Sequence, residues 1–186
     1  MLNKLSNKLS SIINYLYFSI YTLRYNIKLG CKFCIHGKLD FRVYKTSVLE
    51  IGDNFYFSNA RKLNPICRNV RGSVRIEKKA ELIIGNNVAI SSACIWVHEF
   101  VKIGNNVRIG GDCLIIDSDC HSLDYMDRRN NVSDKRNTKN KGIIIEDDVM
   151  IGARSIIGAG SVVTSAIPSD CVVAGNPARI IRRIND

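Results

Sequence analysis

The residue types best suited to chemistry lie together in Asp117-Ser118-Asp119-Cys120-His121. An imidazole titrates near neutral pH and can take a proton from a hydroxyl as a general base. A carboxylate beside it can fix its tautomer and stabilise the imidazolium that forms. His98 is a further candidate, because Asp117 follows it by nineteen residues. The same D-x-D-x-H pattern could hold a metal, since His and Asp are common ligands. Proton transfer is the preferred reading, and no metal is expected. His36 has no comparable neighbours and reads as structural.

The elements that position these groups follow a six-residue period. Ile84-Gly85-Asn86-Asn87-Val88-Ala89 is succeeded by Ile90–Ile95. Ile103-Gly104-Asn105-Asn106-Val107-Arg108 is succeeded by Ile109–Leu114. Later come Ile145–Met150, Ile151–Ile156 and Ile157–Val162. Neither an amphipathic helix nor a single strand has this period. A chain that turns a corner every six residues does, and three such units close one coil of about eighteen residues. The opening aliphatics then point inward and stack. The fifth position also points inward near a corner, so Val88, Cys94, Val107, Cys113, Ser155 and Ser161 are small. On this register Cys94 and Cys113 share a slot on adjacent coils, and His98 stacks with Asp117. Asp119 falls in the small inward slot, where a carboxylate breaks the packing rule and marks a site. Gly in the second position is expected to ease the corner backbone.

The repeat is interrupted over Ser122–Gly142, rich in Asp, Asn, Lys and Arg. Loops of that length usually carry function or are disordered. Arg128, Arg129, Lys135, Arg136, Lys139 and Lys141 on it could steer an anionic ligand or simply face water. Upstream, Lys32–Val74 reads as irregular early coils. Before them, Leu2, Leu5, Leu9, Ile12, Leu16, Ile20, Leu23 and Ile27 recur at spacings of three and four. That is an amphipathic helix of roughly six turns. It could cover the open end of the coil, or lie on a membrane surface with Lys4, Lys8, Arg24 and Lys28 toward headgroups. No small-residue cleavage site follows Ile12–Leu23, which argues against a signal peptide.

The 186 residues suit one domain. The boundaries read as a helical segment over 1–30, a β-helix over 31–178 with the loop 122–142 inserted, and a basic tail over 179–186. A net charge of +10 suits an anionic partner, but no nucleic-acid-binding module is present. Seven cysteines cannot all pair within the chain, and Cys31-x-x-Cys34 lacks a second pair. They read as reduced, mostly buried thiols of a cytoplasmic protein.

The hexads, the D-x-D-x-H-S element, the basic loop and the ending Gly158-Ala159-Gly160-Ser161-Val162-Val163-Thr164 … Ala174-Gly175-Asn176-Pro177-Ala178 resemble the hexapeptide-repeat acyltransferases. Among these the chain is most similar to the maltose/galactoside and polysaccharide O-acetyltransferases. The resemblance implies a mainly β fold, a left-handed parallel β-helix of hexapeptide repeats, with the N-terminal amphipathic helix and the inserted loop as additions. It implies a homotrimer, acetyl-CoA as co-substrate, and active sites between neighbouring subunits. His121 matches the family's catalytic histidine, with Asp119, Asp117 and His98 as its candidate companions. The pantetheine arm would lie in a groove beside Ala153, Ala159 and Gly160. Thr164 and Ser165 end the same segment, and Arg179, Arg182 and Arg183 match a basic tail that would bind CoA phosphates. Three positions depart from the pattern: Met150 replaces a Trp, Ser165 replaces a Lys, and about one coil fewer precedes Gly158. The implied function is saccharide O-acetylation in surface-polysaccharide assembly, at the inner face of a membrane if residues 1–28 touch one. An N-acetyltransferase of a nucleotide-linked amino sugar and a non-catalytic trimeric scaffold remain as alternatives.

Overall fold

A computed structural model describes residues 12–13, 16–59 and 71–184. Their strands follow one another around a three-sided prism. The first coil holds β1 (Asn26–Leu29), β2 (Cys34–His36) and β3 (Asp40–Val43), one strand per face. The second holds β4 (Val48–Ile51), β5 (Tyr56–Ser58) and β6 (Ser73–Ile76), and the third β7 (Glu81–Ile84), β8 (Ala89–Ser91) and β9 (Cys94–Val97). The fourth holds β10 (Phe100–Ile103), β11 (Arg108–Ile109) and β12 (Leu114–Ile116). The fifth holds β13 (Ile143–Ile145), β14 (Met150–Ile151) and β15 (Ile156–Ile157). A sixth turn contributes β16 (Val162–Val163), a bridge from Ile167 to Ile151, and β17 (Cys171–Ala174). Each strand pairs in parallel with the strand one coil earlier on its own face.

The hexad register sets the core. Ile51, Ile84, Ile103, Ile145 and Val163 align on the first face. Ile35, Phe57, Ile90, Ile109 and Ile151 align on the second. Val74, Ile95, Ile115, Ile157 and Val173 align on the third. All are buried. Each such side chain removed from water contributes roughly 1.5–3 kcal/mol, so aligned columns hold short strands that could not stand alone.

The corners carry two ladders. Asp53, Asn86 and Asn105 each donate a backbone N–H to the side-chain oxygen of the next coil's residue, ending on Asp147. Beside them Asn54, Asn87, Asn106 and Asp148 adopt left-handed φ of 57–60°, a conformation short polar side chains tolerate. The second-position glycine is needed for another reason than expected. A Cβ on Gly85 would stand 2.8 Å from the Gly104 backbone, so Gly permits coils to stack closely.

One slot differs from the expected register. Cys94 aligns with Leu114, so Ala93, not Cys94, occupies the level of Cys113. The corner between β8 and β9 is one residue shorter than the corner between β11 and β12. Cys94 therefore turns outward, half-buried, and its Sγ accepts from the Ser73 hydroxyl at 3.1 Å. Val88, Val107, Cys113, Ser155 and Ser161 are buried as expected.

Helix α1 covers residues 16–24. It ends there because Ile27 enters β1 and joins the core, so the apolar spacing continues into a strand. Phe18 plugs the open end of the prism, 5.0 Å from the Phe33 ring and 4.5 Å from the Phe41 ring. Leu2, Leu5 and Leu9 lie outside the described residues. At the far end, the expected basic tail is strand β18 (Arg179–Arg183), antiparallel to β17 and exposed throughout.

Candidate active site

His121 stands where the prism is interrupted. After β12 the chain leaves the corner between the third and first faces, and it returns at β13. The neck is closed by backbone bonds: Asp119 N–H to the Lys139 carbonyl at 3.0 Å, and Lys141 N–H to the Asp117 carbonyl at 2.9 Å. Between them the loop is built, with helix α2 (Asn131–Asn137) capped by the Asn130 side chain on the Val132 amide at 2.8 Å.

The structure gives each acidic residue of D-x-D-x-H a different place from the one expected. Asp117 is fully buried. Its carboxylate accepts from the amides of His98, Glu99 and Phe100 at 2.6, 2.8 and 2.7 Å. On the twenty-residue offset of this face it lies level with Val97, not with His98 as the nineteen-residue spacing predicted, and it meets His98 only through the backbone, as a staple across the corner between β9 and β10. Asp119 is exposed, not inward. The hexad register stops at Asp117, where the chain leaves the prism, so the inward slot does not extend to Asp119.

The partner of His121 is Asp134, which the sequence reading missed. His121 Nδ1 lies 2.7 Å from Asp134 Oδ2, and Asp134 Oδ1 accepts from the Ser122 amide at 2.7 Å. Asp134 is 8% exposed, whereas the His121 side chain is 69% exposed. The His121 bond first, and then the Ser122 amide, hold the Asp134 carboxyl below the usual carboxylate range. An ionised Asp134 assigns the proton to Nδ1 and leaves Nε2 free to accept a proton from a ligand. The Asn130 cap and the acidic first turn signalled α2 in the sequence. Nothing local tied that turn to a histidine thirteen residues earlier.

The supporting shell is polar. The Ser122 hydroxyl donates to Asp127 at 2.8 Å, and Arg128 donates to the Ser122 carbonyl at 2.6 Å. Arg128 therefore fastens the loop, and Arg129 lies over the Tyr125 ring at 5.4 Å. A hollow of about 440 Å³ opens in the loop, lined by Ser122, Asp127, Arg136 and Lys139 among others. His98 packs its ring against Trp96 at 4.8 Å, and its buried Nε2 has no partner among the described residues.

The expected donor groove is divided. Ala159 and Gly160 sit at the same corner as the loop, and Gly160 N–H donates to the Lys141 carbonyl at 2.8 Å. Val162 N–H bonds the Gly175 carbonyl one coil on, and Arg179 pairs with Ala174. One edge thus runs from His121 past Gly160 to Arg179, three strand spacings from β12 to β18, or roughly 14 Å. Ala153 lies between β14 and β15, and Thr164 and Ser165 lie beyond β16, at the other two corners. A shift of six residues moves a side chain to the next corner, and only a full turn brings it back. Arg182 and Arg183 lie exposed on β18.

No family model matches the chain. It is 54% identical over 44 residues to the galactoside O-acetyltransferase of Escherichia coli K12, covering 24% of this chain and 22% of that one. It is 28% identical over 137 residues to the galactoside O-acetyltransferase of Lactococcus lactis, covering 74% and 64%. The chain thus spans less than two thirds of either relative's length. Among solved structures it resembles AntD, an N-acyltransferase from Bacillus cereus in complex with dTDP and 3-hydroxybutyryl-CoA. The identity is 17%, the coverage 90% and 87%, and the TM-score 0.52. The shared feature is the fold, a left-handed parallel β-helix.

Proposed function

We infer that this left-handed hexapeptide-repeat chain, whose curated relatives are galactoside O-acetyltransferases and related acetyltransferases, is itself an O-acetyltransferase. Its donor is acetyl-CoA and its acceptor a saccharide hydroxyl, in surface-polysaccharide assembly. The observation that carries this reading is the His121–Asp134 pair, with an exposed ring held at Nδ1.

His121 Nε2 takes the hydroxyl proton as that oxygen bonds the acetyl carbonyl carbon. The C–S bond then breaks, and the departing thiolate receives the proton from the imidazolium. Asp134 stabilises the imidazolium meanwhile. A hydroxyl needs this help, whereas a deprotonated amine attacks without it, which favours an ester product over an amide. The hollow of the loop offers Ser122, Asp127, Arg136 and Lys139 as hydrogen-bonding groups for a sugar. Ala159, Gly160 and Arg179 share the edge of His121 and are the donor residues of one copy. Ala153, Thr164 and Ser165 reach such a groove only from a neighbouring copy, which is how a homotrimer with sites between subunits would use them. Arg182 and Arg183 stand beyond Arg179 for the CoA phosphates.

The test is thiol release from acetyl-CoA with a panel of saccharides. His121→Ala should lower turnover by about 10²–10⁴ without changing the oligomeric mass. Wild-type turnover by that variant removes the base. Products that survive alkali are amides and would replace the hydroxyl acceptor by an amine. Failure of the wild type to bind CoA in calorimetry would leave a scaffold.

A further inference from the structure

Helix α1 is apolar on two opposite sides, and the prism uses only one of them. Phe18 is 2% exposed, and Tyr21 and Tyr25 pack partly buried beside it. The other side carries Leu16, Tyr17, Ile20 and Leu23, which are 44–85% exposed. Leu16, Ile20 and Leu23 follow one another at spacings of four and three, so they form one line along the helix. A surface helix of a water-facing domain places polar residues there, and a contiguous exposed apolar stripe marks a contact.

The charge around this stripe names what it touches. No Asp or Glu occurs before Asp40, while six Lys or Arg do: Lys4, Lys8, Arg24, Lys28, Lys32 and Lys38. Those first residues therefore supply six of the ten net positive charges. Arg24, Lys28, Lys32 and Lys38 are accessible, and the last three belong to the first coil, the end that α1 covers. Arg42 and Lys45 continue the exposed rim. Against them stand Asp40, exposed, Glu50, which pairs with Lys28 at 2.5 Å, and Asp53, whose Oδ1 accepts from the Cys31 amide at 2.6 Å. A second copy docked through this end would set one cationic rim against another, which is repulsive. An anionic bilayer satisfies both features, with apolar side chains between acyl chains and cations at the headgroups. Among the described residues no helix is long and apolar enough to cross a membrane, so the contact is one of lying on the surface.

We propose that α1 is a two-sided element, its Phe18 side closing the prism and its Leu16–Ile20–Leu23 side seating the protein on an anionic lipid surface. This is independent of the reaction at His121. The test is sedimentation of the full chain with vesicles of equal parts phosphatidylglycerol and phosphatidylcholine, against vesicles of phosphatidylcholine alone. The wild type should pellet with the anionic vesicles, and less so as salt rises. The double variant Ile20→Asp, Leu23→Asp should bind at least about tenfold more weakly while unfolding at the wild-type temperature, because neither side chain enters the core. Equal pelleting with both vesicle types, or equal binding by variant and wild type, overturns the proposal. So does a variant that loses oligomeric mass in light scattering while the wild type ignores vesicles, which assigns the stripe to a second copy.

Discussion

Replacing Asp134 by Asn changes the least in shape and the most in proton placement. The carboxylate accepts two bonds, from the Ser122 amide and from His121 Nδ1, each at 2.7 Å. A side-chain amide has one oxygen. The Ser122 N–H can only donate, so that oxygen must turn to it, and the amide nitrogen then faces His121. That nitrogen donates, so Nδ1 must become the acceptor and the ring proton moves to Nε2. The base loses its acceptor atom while the loop keeps its backbone bond. The equivalent change in a Ser-His-Asp triad costs about 10⁴ in turnover, and general-base assistance as a whole is worth about 10²–10⁴. Asp134→Asn should therefore lower kcat by roughly 10²–10⁴ with KM for acetyl-CoA little changed. Thiol-release kinetics at saturating acceptor measure it. A variant within about twofold of wild type would show that Asp134 only folds the loop and that the tautomer argument is wrong.

Two further outcomes follow from the same corner. Asp117→Ala strips three amides of their partner, at about 1–3 kcal/mol for each left unpaired. It should lower the urea midpoint severely, and an unchanged midpoint would mean that water replaces the carboxylate without loss. Asp134's carboxyl lies below its ordinary range in the folded protein. Its contribution to stability is therefore present above the unfolded value, about 4, and is lost as pH falls through the folded one. Stability of Asp134→Asn should thus fall less steeply than that of the wild type below about pH 4, and parallel profiles would exclude the carboxylate as a source of acid sensitivity.

Much of the prism was legible because its cause is local. Each hexad presents an aliphatic to the inside and a small residue to the corner; the nineteen- and eighteen-residue offsets set Ile84 beside Ile103 and Ile145 beside Val163, and closure of the loop joins the two pairs into one column. The reading failed where the count changed without a visible mark. One residue fewer at the corner before β9 moved Cys94 from the core to the outside. Asp119 was misplaced because the chain leaves the prism two residues earlier, at a carboxylate whose three bonds come from the corner between β9 and β10.

The sequence by itself determined the period, the stacking of aliphatics, the interruption and the histidine beside it. Tertiary structure decided which carboxylate meets that histidine, because the partner arrives on a helix thirteen residues away whose position depends on the whole loop closing. It also divided the small residues of the last coils among three corners, leaving Ala159, Gly160 and Arg179 on the edge of His121. Hydrophobic periodicity is written in neighbouring residues. Polar pairing across a loop, and the meeting of distant corners, are fixed only when backbone bonds close the chain on itself.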